Sequence, residues 1–232
     1  MSDLLGVGKL AESVEKLTVE ARKLLYDFGS PVAKEAGEWL ADAIRFRRIV
    51  RVQAVIETLR QAQAALTGAG LDAKALELKT LVPLLEQCSL EEEPDMMRRW
   101  ANLLAAAAAG DPVTPSYVKV LGELTPDEAR ILDAVARSRR DIADKEQKIG
   151  TVLAIEIGKV RAELSIPQTH LHSALINLQH LQLLQRCFSR ATFLANSLPL
   201  ALKSDDFVGL TPFGSAFLEV VSHPPSKALD VL

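Results

Sequence analysis

The run SLEEEPDMMRRWANLLAAAAAG, Ser89 to Gly110, restricts the possible fold more than any other stretch of the chain. Ser89 followed by Glu92 three residues later is a capping-box pattern, and Pro94 is a second start signal, suited to a first helical turn. Met97, Trp100, Ala101, Leu104, Ala107 and Ala108 then recur at steps of three and four, and Gly110 stands where a helix closes in a left-handed turn. The alanine tail lets neighbouring backbones come close, with Trp100 as the large anchor beside it. This spacing predicts the central helix of an all-α body. Apolar residues make up 48% of the 232 but aromatics only 5%, so the core is built from Ala, Leu, Val and Ile, a mix that favours helix over sheet.

Upstream, Val7, Leu10, Val14, Leu17, Ala21, Leu24 and Phe28 form a heptad seam, read either as an internal helix–helix contact or as a coiled-coil contact between copies. Gly29-Ser30-Pro31 breaks it. A long helix is expected over residues 32–66, with its stripe changing side near Arg51. Ala36, Trp39, Leu40, Ala43, Phe46 and Val50 share one face; Val52, Val55, Ile56, Leu59, Gln63 and Leu66 share another. Arg45, Arg47, Arg48 and Arg51 scatter around that helix as a solvated rim rather than gather into a patch for nucleic acid or lipid. Thr67 to Gly70 reads as a turn, and Asp72 as the cap of a helix running through Leu84 with Pro83 inside it. After Gly110, two proline-containing pairs make an extended link to a short helix carrying Tyr117, Val118, Leu121 and Leu124.

Thr125-Pro126-Asp127-Glu128 is the best helix start in the chain, with an N-cap Thr, Pro at the first helical position and Glu at the third. Its helix carries Ala129, Leu132, Val135 and Ala136, and the charged stretch Ser138 to Lys148 reads as a loop or frayed end. Residues 150–166 fit a short strand or a helix. Pro167 opens a further helix with Leu171, Ala174, Leu175, Leu178 and Leu181 on one stripe. RCFSRATFL and DDFVGLT follow as two strands, and Thr211-Pro212 begins a closing helix with Phe213, Ala216, Phe217 and Val220. The expected fold is mainly α: a helical N-terminal bundle followed by a small winged-helix-like C-terminal domain. The expected divisions are an amphipathic helix over 1–30, a helical body over 31–115 and the winged-helix-like part over 116–232.

Two pieces together resemble the bacterial abortive-infection alpha family. One is the acidic run before Trp100, Ala101, Leu103 and Leu104; the other is Leu124, Pro126, Glu128 and Ala129 at a helix start. The ending is similar too, with Leu178, Leu181 and Leu184 on a helix and Leu210, Thr211, Phe213, Gly214 and Phe217 closing the wing. The resemblance covers roughly residues 32–222. It implies a role in bacteriophage defence, and because its motifs are packing motifs it implies no particular reaction.

Motifs for chemistry are sparse. The chain has no Gly-rich phosphate loop, HExxH pair or GxSxG elbow. His170 and His172 are two residues apart and point different ways on a helix, and His180 adds no sensible third ligand, so no metal, cofactor or catalytic residue is expected. Glu91, Glu92 and Glu93 suit the positive end of a helix. Cys88 and Cys187 lack CxxC spacing, as expected in a reducing cytoplasm, and no apolar run reaches the ~20 residues of a membrane span.

The outer face of the helix after Pro167 carries Thr169, His172, Ser173, Ile176 and His180, a candidate partner face. No Lys or Arg occurs from Ser165 to Gln185, whereas DNA binding draws most of its affinity from neutralised phosphates. A formal net charge of −3 points the same way. Arg186, Arg190 and Lys203 are the candidate nucleic-acid backbone contacts in the alternative reading, a winged-helix DNA-binding regulator. The favoured expectation is a non-enzymatic, cytoplasmic defence protein that binds a protein partner or a second copy, with no small-molecule substrate.

Overall fold

The computed structural model describes residues 19–20, 23–24, 49–145, 155–187 and 207–226. These residues are mostly helical with one small sheet, and they form two compact units. One takes the described residues up to Glu123 together with those from Val220 onward; the other runs from Leu124 to Glu219.

In the first unit, helix α1 (Ile49–Ala69) packs along helix α3 (Pro94–Ala109), with α2 (Leu78–Cys88) against both and α4 (Pro115–Glu123) against α2. Val52, Val55, Ile56, Leu59 and Leu66 of α1 are buried, as their spacing predicts. Ala54, Thr58 and Ala62 are buried as well, so α1 is covered on more than one flank. The expected first half of that helix lies outside the described residues. Of the heptad seam only Leu24 is described, and it is buried; Glu20 beside it accepts hydrogen bonds from the Arg60 guanidinium of α1.

Helix α3 starts at Pro94 and ends at Gly110, whose φ of 99° needs glycine. The Gly110 amide donates to the Ala107 carbonyl and the Asp111 amide to that of Ala106, the paired bonds of a Schellman motif. The Lys74 amide donates to the Ala108 carbonyl, and the Lys74 side chain lies over Gly110, bringing a cation to the negative end of the helix. Every residue from Arg99 to Ala108 is buried, and Trp100 is 1% exposed. Over these residues the helix is thus enclosed on all sides. Two polar side chains within that enclosed run are used: Asn102 donates to the Val221 carbonyl at 3.0 Å and Arg99 to the Ser222 hydroxyl at 3.3 Å. Asn102 thereby satisfies a carbonyl at the C-terminal end of the last helix that its own turns leave open, and Arg99 holds a side chain of the same turn.

Several expectations for this unit need correction. Ser89 is the C-cap of α2 and donates to the Glu86 carbonyl, so it does not start α3. No side chain caps the first turn of α3; just before it, the Glu91 carboxylate accepts from the amides of Glu92 and Glu93. Met96, rather than Met97, is the buried methionine: in the first turns of α3, where Asp95 and Arg98 are exposed, the inward side carries Met96, Arg99, Trp100 and Leu103. α2 begins at Leu78 after Glu77; Asp72 is exposed and caps nothing. α1 extends through Ala69, and Gly70 takes the left-handed turn.

The second unit opens with α5 (Pro126–Lys145), whose capping box forms as expected. The Thr125 amide donates to Glu128 Oε2 at 2.8 Å, and the Glu128 amide to Thr125 Oγ1 at 3.3 Å. Ile131, Leu132, Ala134 and Val135 point inward, with Ala136 half-buried. The helix continues through the charged stretch to Lys145, further than the missing apolar period suggests, since charged residues propagate a helix well. Strand β1 (Ile155–Glu156) leads directly into α6 (Ile157–Leu164), so the ambiguous stretch is both strand and helix. Helix α7 (Gln168–His180) buries Leu171, Leu175 and Leu178.

Strands β2 (Leu184–Cys187) and β3 (Phe207–Leu210) pair antiparallel, Leu184 opposite Leu210 and Arg186 opposite Val208; β1 pairs with the other edge of β3, Ile155 opposite Val208. The sheet order is therefore β1-β3-β2. Leu184 lies in β2, not on the preceding helix, and the strand begins earlier than expected. α7 ends at His180 because Gln182 takes a left-handed φ of 59° and the Leu183 amide turns back to the Leu178 carbonyl.

The closing helix α8 (Pro212–Ser222) is docked at its start. The Thr211 amide donates to the Leu183 carbonyl at 3.1 Å, the Thr211 hydroxyl donates to the Gln182 carbonyl at 2.5 Å, and the same oxygen accepts from the Gly214 amide at 2.8 Å. Gly214 lies so close to Leu183 that a Cβ there would sit 2.1 Å from its carbonyl oxygen. Besides Gly214, the buried residues of α8 are Phe217, Leu218 and Val221, while Ala216 is exposed, so its inner stripe is shifted from the expected one.

Candidate functional site

Helix α7 carries the surface that the sequence singles out. Ser165, in the left-handed region at φ 53°, ends α6; Ile166 is buried; and Pro167, which the next helix does not need as a donor, starts α7. The three inward leucines seat the helix beside α5 and β2. Its register is fixed by one polar contact, Asn177 Nδ2 donating to Glu128 Oε1 at 2.9 Å. Glu128 is buried, and its two carboxylate oxygens are used by Asn177 and by the Thr125 amide. One acid therefore caps α5 and positions α7. Sequence reasoning marked Glu128 as a cap but not Asn177, because an Asn between Ile176 and Leu178 on a helix carries no signal of its own.

The opposite side of α7 presents Thr169, Ser173, Ile176 and His180 to solvent, with His172 half-buried and His170 exposed. Ile176 is 43% exposed. Ser173 donates back to the Thr169 carbonyl at 3.2 Å, leaving its hydroxyl oxygen turned along the helix. The guanidinium of Arg161, from α6, reaches Gln168 at 3.4 Å at the start of α7. Between Ser165 and Gln185 the chain has neither a cationic Lys or Arg nor an Asp or Glu. The face can therefore offer hydrogen bonds and a methyl-rich contact but no phosphate neutralisation. Of the three cationic candidates, Arg186 is half-buried in β2 opposite Val208, and Arg190 and Lys203 lie outside the described residues.

The nucleophile and acid candidates are engaged in structure. Burial pushes the Cys88 thiol up to about 12, with the nearby Thr58 hydroxyl opposing the shift and Glu91 adding to it. That Thr58 hydroxyl, itself buried, has no hydrogen bond of acceptable geometry, so its effect on Cys88 is a weak one. Cys88 instead leans on the Leu85 carbonyl at 3.5 Å. Burial raises the Cys187 thiol as well, so both thiols stay protonated and poorly nucleophilic near neutrality. Among the described residues no three His, Cys, Asp or Glu side chains are grouped to hold a metal ion, and no helix is long and apolar enough to cross a membrane.

The model of the family described as Abortive infection alpha matches residues 51–221, which takes in α7, its buried support and the enclosed helix α3. No curated protein matches the chain, and no solved structure does.

Proposed function

The chain belongs to the abortive infection alpha family, and from that premise we propose that it serves phage defence as a non-enzymatic binding protein, holding a protein partner or a second copy of itself. The observation that carries this reading is the outer face of α7: a charge-free surface with Ile176 43% exposed at its middle, held rigidly by three leucines and the Asn177–Glu128 hydrogen bond. A rigid helix face with a central apolar side chain and flanking hydroxyl and imidazole groups suits a protein surface, where such anchors give affinity at low ordering cost. The engaged state of the acids and thiols supports binding over turnover: Glu128 spends both oxygens on amides, Glu91 accepts two amides on Oε1, and Cys88 is held protonated. The succession α5, β1, α6, α7, β2, β3, α8 supports reading the second unit as winged-helix-like.

A photoreactive amino acid placed at position 176 of the full chain, in bacteria with and without phage, tests the proposal. The expected product is a covalent adduct to a protein, either a different chain or one of doubled mass. Adducts to duplex DNA, together with binding that weakens steeply with salt, would replace the proposal with the regulator reading. Absence of any adduct in both conditions would sink it.

A further inference from the structure

We draw no further inference here: the strongest candidate, the exposed Leu90 at the turn between α2 and α3 with Glu91, Glu92 and Glu93 beside it, is an acidic cluster around a single apolar side chain, and nothing in the structure shows what covers it.

Discussion

Replacing Gly214 with alanine sets helix propensity against packing, and the two make opposite predictions. Alanine in a helix is ordinarily better than glycine by about 0.5–1 kcal/mol. At Gly214 the new Cβ would meet the Leu183 carbonyl oxygen at 2.1 Å and its carbon at 2.9 Å, whereas real contacts stay above 3.0 Å. The start of α8 must then retreat by about 0.9 Å, the difference between 3.0 and 2.1 Å. The Thr211 amide, 3.1 Å from the same oxygen, moves out of hydrogen-bonding range. Losing that bond costs about 1 kcal/mol. Overpacking against backbone, which cannot rotate aside, adds about 1–3 kcal/mol. Net of the propensity gain, Gly214→Ala should destabilise by about 1–3 kcal/mol. Urea unfolding followed by far-ultraviolet circular dichroism reads this as a midpoint lowered by roughly 1 M, for a slope near 2 kcal/mol/M. Hydrogen exchange at the amides of residues 183–184 and 211–217 localises the loss. The internal control is Gly68→Ala in α1, where nothing lies within 4 Å of the new Cβ, and stability should rise by up to about 1 kcal/mol. If both variants gain stability alike, the close approach of α8 to Leu183 is wrong.

Trp100→Ala should cost about 3–5 kcal/mol by unfolding, since the indole is enclosed; an unchanged midpoint would mean that α3 is not the core. Thr125→Ala should cost about 1 kcal/mol, and Glu128→Ala more, about 2–3 kcal/mol, because it also strands Asn177. A double-mutant cycle of Glu128→Ala with Asn177→Ala that shows no coupling would deny the link between cap and helix. Cys88 binds its proton more tightly folded, at about 12, than unfolded, so between about pH 9 and pH 12 the unfolded chain has lost a proton that the folded one keeps. Stability from this group is therefore full below about pH 9 and falls above it by roughly 1.4 kcal/mol per pH unit. The difference between the parent and Cys88→Ala in unfolding free energy should shrink along that slope; a pH-independent difference would contradict the burial of the thiol.

Much of the helical scaffold could be read from local chemistry. Pro94, Gly110 and the Thr125–Glu128 box mark boundaries because each satisfies or removes particular backbone groups, whatever packs nearby. Ser89 misled because serine suits either end of a helix: its hydroxyl can accept from an amide ahead or donate to a carbonyl behind, and α2 claims it. The end of α7 was invisible for a related reason. Leu181, Leu183 and Leu184 continue the apolar run of the helix, and the left-handed residue that stops it is Gln182, not a glycine. Inner faces widened where a helix is covered on several sides, as with Ala54, Thr58 and Ala62 of α1, since periodicity locates one stripe and neighbours decide how wide it becomes. The outer face of α7 was legible as a surface from the alternation of its leucines. What the proposed reading would seat there was not legible, because complementarity to a partner is a matter of shape, which a short mixed set of Thr, His, Ser and Ile does not encode.

Under the proposed function, the enclosure of α3 separates what keeps this protein folded from the α7 face that would meet a partner. From Arg99 to Ala108 every residue of the helix is buried, so a bulkier residue there would be rejected by its neighbours before any binding is sampled. On the outside of α7 the reverse holds: exchanges at Thr169, Ser173 or His180 disturb little packing and cost only tenths of a kcal/mol. A lineage built on this frame can therefore vary the outer face of α7 while its interior stays unaltered.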